Sequence, residues 1–267
     1  MWNTSNPALS NEERWLNHGP IANAATMNGV VSKTSILVMI ALLAGAGGYT
    51  MAFMFPSAIM ISFIVSLILG LGFTFYLAGN PEASPRLAPI YAVVEGFFLG
   101  AFTAVADAYL GKMGLAVAGG VGIQALIITA SCVGSMLFLY RTGILKPTKT
   151  FVAVVQTLTM AVFVTYLVSF IFSMFSSHPL PLLSPFTSAS ASGSGAWIGL
   201  AINGAILLLA SAWLIIDFKM VEDNVAAGAP KYMEWYCGFA ILVTLTWIYY
   251  EAVKLVVRLA IIFGSSD

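Results

Sequence analysis

Seven apolar runs, each about as long as a membrane span, limit what this chain can fold into. They cover residues 35–55, 57–77, 87–109, 115–140, 151–175, 196–218 and 235–263. Each run reaches the roughly 20 residues that an α-helix needs to cross a hydrocarbon core of about 30 Å. Only 8% of the residues are charged, against about 25% in ordinary soluble domains, so a soluble fold could not cover its surface. The sequence therefore predicts an all-α membrane protein with seven transmembrane helices.

The beginning of the chain differs from the rest because it is polar. Ser10 and Glu13 have the spacing of a helix-capping box, and the apolar residues Trp15 and Leu16 follow them. We therefore expect residues 1–32 to form a polar tail with a short interfacial helix, and residues 33–267 to form the seven-helix transmembrane domain.

Basic residues predict the orientation of the spans, because cytoplasmic loops carry an excess of lysine and arginine. If there are seven spans, Lys112 falls in loops on one side of the membrane. The other side receives Arg14, Lys33, Arg86, Arg141, Lys146, Lys149, Lys219 and Lys231. We therefore expect a cytoplasmic N-terminus and an outside C-terminus. No cationic secretory leader is visible, which favours a bacterial inner membrane.

Acidic residues within the apolar runs carry the most information about function. A charged side chain near the centre of a spanning helix costs at least ~2.5 kcal/mol, so such residues mark sites or pathways. Glu95, Asp217 and Glu251 lie inside predicted spans, and Asp107 lies nearer an outer end. These acids are therefore the candidate functional residues.

Asp217 and Glu251 belong to the last two predicted helices, so they can form a pair. Two facing carboxyl groups in a low dielectric do not easily ionise together and would share one proton. Such a pair would sense pH. When deprotonated it could also bind calcium, which suits carboxylate oxygens.

Other interpretations of these two acids remain open. Glu251, Lys254 and Arg258 fall at positions i, i+3 and i+7, on one helical face, so Lys254 could neutralise Glu251. Lys254 and Arg258 could instead extend to a membrane interface. Asp217 could lie in interfacial water, partnered by Lys219 or by nothing.

The predicted pair also faces a geometric difficulty. With a turn near Gly228, Asp217 is 11 residues from the turn and Glu251 is 23 residues from it. At 1.5 Å per residue, their depths would differ by roughly 18 Å. The two acids can meet only if most of residues 222–233 run along the surface or if the last helix enters late. The acids near this turn, Glu222, Asp223 and Glu234, are expected to form a solvated loop face.

Glu95 is followed by two glycines four residues apart, Gly96 and Gly100. This small-xxx-small spacing lets another helix approach closely. The glycines could serve helix packing alone, or the packing could place Glu95 in a cavity.

The two C-terminal segments resemble the transmembrane BAX inhibitor motif family, in its bacterial YetJ- and YccA-like branch. The resemblance is carried by residues 214–218 (LIIDF) and 247–255 (WIYYEAVKL). Residues 229–236 (APKYMEWY) resemble a signature of a longer bacterial subgroup. The resemblance implies six helices around a central seventh. It also implies a pH-sensitive calcium leak gated by two acids, which map onto Asp217 and Glu251.

Three classes of function follow from the residues and the resemblance. The leading hypothesis is a cation channel or leak, with calcium as the ion, Asp217 and Glu251 as the sensing pair, and Glu95 as an accessory pore acid. The second is a regulatory protein that binds another membrane protein, such as a protease. An enzyme is not expected, because His18 and His178 fall outside the spans and no H-E-x-x-H or G-x-S-x-G motif is present.

The expected partners follow from the same considerations. They are the lipid bilayer, calcium ions or protons, and a membrane protein in the second hypothesis. No cofactor is expected beyond a permeant calcium ion. No nucleic-acid partner is expected, because the formal net charge is zero.

Overall fold

The computed structural model describes residues 24–55, 58–175 and 194–264, and the secondary structure in these ranges is helical. The predicted interfacial helix, His18 and His178 lie outside the described residues. The described ranges contain seven α-helices and one short 3₁₀ turn, Pro81–Ala83. The α-helices are α1 (Met27–Met54), α2 (Ala58–Gly79), α3 (Ser84–Lys112), α4 (Gly120–Arg141), α5 (Lys149–Phe175), α6 (Ser194–Ala226) and α7 (Met233–Gly264).

These helices confirm the prediction of an all-α membrane protein with seven helices. Six of them are long and apolar enough to cross a membrane by length and composition. The remaining helix, α2, contains a shorter apolar stretch, Ile64–Gly79. Each apolar run of the sequence therefore corresponds to one helix, as expected for segments whose backbone polar groups must be satisfied internally.

Two helices extend well beyond their apolar runs, and local interactions explain both extensions. Helix α1 already begins at Met27, because the side chain of Thr26 caps it by accepting a hydrogen bond from the backbone N–H of Gly29 at 3.0 Å. Helix α6 continues to Ala226, where the chain has become polar. Lys219 supports this last part by forming an ion pair with Asp223 at 2.7 Å, one turn further along the helix.

The described chain forms two compact units, which three of the helices share. The first unit takes its residues from Met1–Phe102 and Asp217–Thr246, and the second from Thr103–Ile216 and Trp247–Asp267. Helices α3, α6 and α7 each contribute one part to the first unit and another part to the second. The predicted placement of six helices around a central seventh stays a prediction.

In the first unit, α1 and α3 meet through glycines on both sides of the contact. A Cβ atom added to Gly96 would overlap the backbone of Ala41, and one added to Gly100 would overlap the backbone of Gly45. A Cβ atom at Gly48 would in turn overlap the backbone of Phe97. The close helix approach predicted from Gly96 and Gly100 is therefore confirmed.

In the second unit, the turn before α4 contains two glycines, and an acid accepts a hydrogen bond from the first turn of this helix. Gly119 and Gly120 adopt positive φ angles of 76° and 81°, which favour glycine. The backbone N–H of Val121 then donates a hydrogen bond to the carboxylate of Asp107 at 2.9 Å. Asp107 thus satisfies a free donor at the N-terminus of α4, which is a structural role.

Candidate functional site

Asp217 is buried on α6 and its carboxylate is held by a neutral partner. Its side chain is only 5% exposed. The hydroxyl of Thr244 on α7 donates a hydrogen bond to it at 2.6 Å. Lys219 instead binds Glu222 and Asp223, so the alternative that placed Asp217 in water beside Lys219 is wrong. Among the described residues of the first unit, no lysine or arginine lies within ion-pair distance of Asp217.

Glu251 is fully buried in the second unit, and its carboxylate interacts with side chains of three helices. Lys254, one turn further along α7, forms an ion pair with its carboxylate at 2.7 Å. The hydroxyl of Tyr166 on α5 donates to one carboxylate oxygen at 2.8 Å, and the side-chain amide of Asn203 on α6 donates to the other at 2.7 Å. The interpretation that Lys254 neutralises Glu251 is therefore confirmed.

Lys254 is buried as deeply as its partner. Its ammonium group donates to the hydroxyl of Tyr166 at 2.6 Å and lies 4.8–4.9 Å from the ring centres of Tyr166 and Tyr250. Lys254 and Arg258 are both 3% exposed, so the expectation that they extend to a membrane interface is wrong. Arg258 also interacts electrostatically with Glu251.

We name the residues Glu251, Lys254, Tyr166 and Asn203 the Glu251 cluster. The cluster joins α5, α6 and α7 by charge-assisted hydrogen bonds, which are stronger than neutral ones. Sequence reasoning missed Tyr166 and Asn203. The available signal was that Asn203 is a polar amide within an apolar run, which needs a partner when buried. The remaining acceptor of Asn203, Oδ1, is buried and has no hydrogen-bond partner among the described residues.

The predicted pairing of Asp217 with Glu251 joins residues of the two units, and it stays a prediction. The tentative assignment of a calcium ion to these two acids stays one as well. Within the described ranges, no group of three or more His, Cys, Asp or Glu side chains could hold a metal ion. The hydrogen bonds and ion pairs described above for Asp217 and for Glu251 each lie within one unit.

Glu95 lies on α3 in the first unit and faces α2. The hydroxyl of Ser66 donates a hydrogen bond to its carboxylate. A Cβ atom added to Gly70, one turn beyond Ser66, would overlap a carboxylate oxygen of Glu95. The carboxylate therefore rests directly against the backbone of α2. Its role as an accessory pore acid stays a prediction.

Glu234 is buried, which makes the expectation of a solvated loop face wrong for this residue. Its side chain is 1% exposed, whereas the side chains of Glu222 and Asp223 are 55% and 59% exposed. One carboxylate oxygen accepts hydrogen bonds from the backbone N–H and the hydroxyl of Thr26, both at 3.0 Å. Lys231 forms an ion pair with the same oxygen at 2.7 Å. Glu234 is buried because it satisfies donors at the N-terminus of α1.

We expect Glu234→Ala to lower the free energy of unfolding by about 1–3 kcal/mol, because it removes the hydrogen bonds that a charged carboxylate accepts from Thr26. The backbone bond from Ala25 to Ala229, 2.7 Å long, would remain to hold this segment. Thermal unfolding of the purified protein in detergent measures the change. Glu222→Ala is the matched control, since it removes an exposed acid. Equal losses in the two variants would contradict the capping role.

These observations define a class of protein, a helical membrane protein that keeps acids and bases buried within its apolar helices. The family model described as Bax inhibitor 1 like matches residues 6–261. The chain belongs to this family, which confirms the resemblance drawn from its two C-terminal segments. The assignment to the YetJ- and YccA-like bacterial branch stays a prediction. No match was found among curated proteins or among solved structures.

Proposed function

We propose that this protein is a pH-sensitive cation leak that conducts calcium and that Asp217 is its proton-sensing acid. The observation that carries the proposal is the burial of Asp217 beside a neutral hydroxyl, without a basic partner among the described residues of its unit. Ionisable residues are rare within membrane spans and usually belong to ion or proton pathways. Family membership supports the same reading.

Protonation of Asp217 changes the charge of its surroundings by a whole unit. In the neutral state the carboxyl group and the hydroxyl of Thr244 form an ordinary hydrogen bond. In the ionised state the carboxylate carries a charge that no lysine or arginine among the described residues of its unit pairs with, so a cation is attracted to it. A change of pH therefore alters both the packing of α6 against α7 and the local affinity for calcium.

Glu251 has a different part in this proposal. Its charge is compensated by Lys254 at 2.7 Å, and both carboxylate oxygens accept further hydrogen bonds. The Glu251 cluster thus holds α5, α6 and α7 together while Asp217 changes its charge. A shared proton between Asp217 and Glu251 would require Glu251 to release Lys254.

The test is calcium flux into liposomes that contain the purified protein, measured across a series of pH values. We expect the wild type to conduct with a pH-dependent rate and Asp217→Asn to conduct at a rate that no longer varies with pH. Glu222→Gln is the matched control, because it removes an exposed acid from the same helix. A pH dependence that persists unchanged in Asp217→Asn would refute the sensing role.

The Glu251 cluster also favours a second candidate function. A buried ion pair between Glu251 and Lys254 is suited to fixing one arrangement of helices, as a protein that binds and regulates another membrane protein would need. The liposome experiment separates the two functions. A protein that moves no ions by itself, but co-purifies with a membrane protein such as a protease, would have the regulatory function.

The proposed location is a bacterial inner membrane, with the N-terminus in the cytoplasm and the C-terminus outside. The distribution of lysine and arginine supports this orientation. In this setting the leak would carry calcium across the membrane without a cofactor. We propose no enzymatic activity.

A further inference from the structure

Glu95 has surroundings that the sensing role of Asp217 does not explain. It lies in the first unit, where the hydroxyl of Ser66 donates to its carboxylate. Gly70 leaves room for a carboxylate oxygen directly against the backbone of α2, and any larger residue would displace it. Ser66 and Gly70, which lie one turn apart on α2, therefore both accommodate the carboxylate of Glu95.

Tyr91 places a further hydroxyl group near Glu95. Tyr91, one turn earlier on α3, interacts electrostatically with the carboxylate, and its hydroxyl is hydrogen bonded to that of Thr246 on α7. The hydroxyl of Thr246 in turn donates to the carbonyl of Val243 at 2.8 Å. Among the described residues of the first unit, no lysine or arginine forms an ion pair with Glu95.

An ionised Glu95 carries a charge that no described lysine or arginine of its unit pairs with, so it can attract a cation. One carboxylate with hydroxyl oxygens from Ser66 and Tyr91 offers the hard oxygen ligands that sodium and calcium prefer, and it offers neither sulfur nor imidazole. We propose that Glu95, Ser66 and Tyr91 form a binding site for a hard cation, sodium or calcium, which we name the Glu95 site.

The Glu95 site is separate from Asp217 in its helices and its bonds. Asp217 lies on α6 and accepts from Thr244, whereas Glu95 lies on α3 and accepts from Ser66 on α2. Cation binding at this site does not depend on conduction. The idea that the permeant ion binds at the Glu95 site during conduction rests on the proposed function.

The experiment measures how cations shift the thermal unfolding midpoint of the full-length protein in detergent. A ligand that binds only the folded state raises this midpoint as its concentration exceeds the dissociation constant. CaCl₂ and NaCl are titrated separately, with choline chloride as the control for ionic strength. We expect one of the two cations to raise the midpoint above the choline curve, and the arm that does so identifies the ion.

The variants then assign the effect to Glu95. Glu95→Gln should need at least tenfold more cation for the same shift, and Ser66→Ala several-fold more. Glu82→Gln, an exposed acid of the same unit, should follow the wild-type curve. The readout is the cation concentration needed for a given shift of the unfolding midpoint, and not the midpoint itself. A purely structural role of Glu95 would lower the midpoint but would not change this concentration.

The outcomes that overturn the site are distinct from those that overturn the proposed function. A wild-type midpoint that neither cation raises, or a cation requirement that is unchanged in Glu95→Gln, overturns the Glu95 site. If Glu95→Gln does not fold, an unchanged cation requirement in Ser66→Ala overturns it. Absent calcium flux together with a shift that Glu95→Gln abolishes would refute the leak and leave the cation site standing.

Discussion

Replacing Glu251 by glutamine should lower the free energy of unfolding by about 3–5 kcal/mol, the cost typical of breaking a buried ion pair. The substitution preserves the shape of the side chain but removes its charge. The ammonium group of Lys254, 3% exposed, would then be buried without its carboxylate. Thermal unfolding of the purified protein in detergent measures the loss.

A second substitution separates the lost ion pair from lost packing. In Glu251→Gln combined with Lys254→Met, the unpaired ammonium group is gone as well, so a large part of the lost stability should return; Arg258 still lacks the carboxylate with which it interacts. Glu222→Gln is the control for a partly exposed pair, since Lys219 and Glu222 lie 3.7 Å apart with side chains about half exposed. It should change the free energy of unfolding by less than about 1 kcal/mol. A double variant as unstable as Glu251→Gln would show that the cluster is held mainly by packing.

The fold could be predicted from the sequence because the bilayer imposes a length and a composition on each span. The seven apolar runs correspond to the seven helices α1 to α7. The ends of the helices were less predictable. The N-terminus of α1 depends on Thr26 and Glu234, which are 208 residues apart, and no periodicity within the first span reveals such a partner.

The candidate acids could also be identified, since a charge within an apolar run stands out. The residues that bind these acids could not be identified from the sequence. Glu251 is bonded to Tyr166 and Asn203, which lie 85 and 48 residues away, and only the packing of the helices brings them together. The ion pair with Lys254 was visible because it follows from i, i+3 spacing on one helix.

The two acids have different partners, which the sensing pair implied by the resemblance does not anticipate. A sensing pair that shares one proton consists of two carboxyl groups that titrate together. Here Asp217 has a neutral hydroxyl as its partner, whereas Glu251 has a lysine, a tyrosine and an asparagine. In the proposed function, Asp217 therefore changes its charge with pH and Glu251 keeps its charge.

The second large effect is expected at the contact between α1 and α3. Gly48→Ala should lower the free energy of unfolding by about 1–3 kcal/mol, the range typical of overpacking. The new methyl group would overlap the backbone of Phe97, which cannot move aside as a flexible side chain could. Either α1 moves away from α3, or the contact of Gly45 with Gly100 is strained. Thermal unfolding in detergent again measures the loss.

The neighbouring residue Gly47 provides a matched control on the same helix. A Cβ atom added to Gly47 would meet nothing within 4 Å. Gly47→Ala should therefore be neutral or stabilising, because alanine favours a helix over glycine by up to about 1 kcal/mol. Both variants add one methyl group one residue apart, so they differ only in what that group meets. Equal stability of Gly47→Ala and Gly48→Ala would mean that α1 and α3 are not in backbone contact, and the first unit would need a different packing.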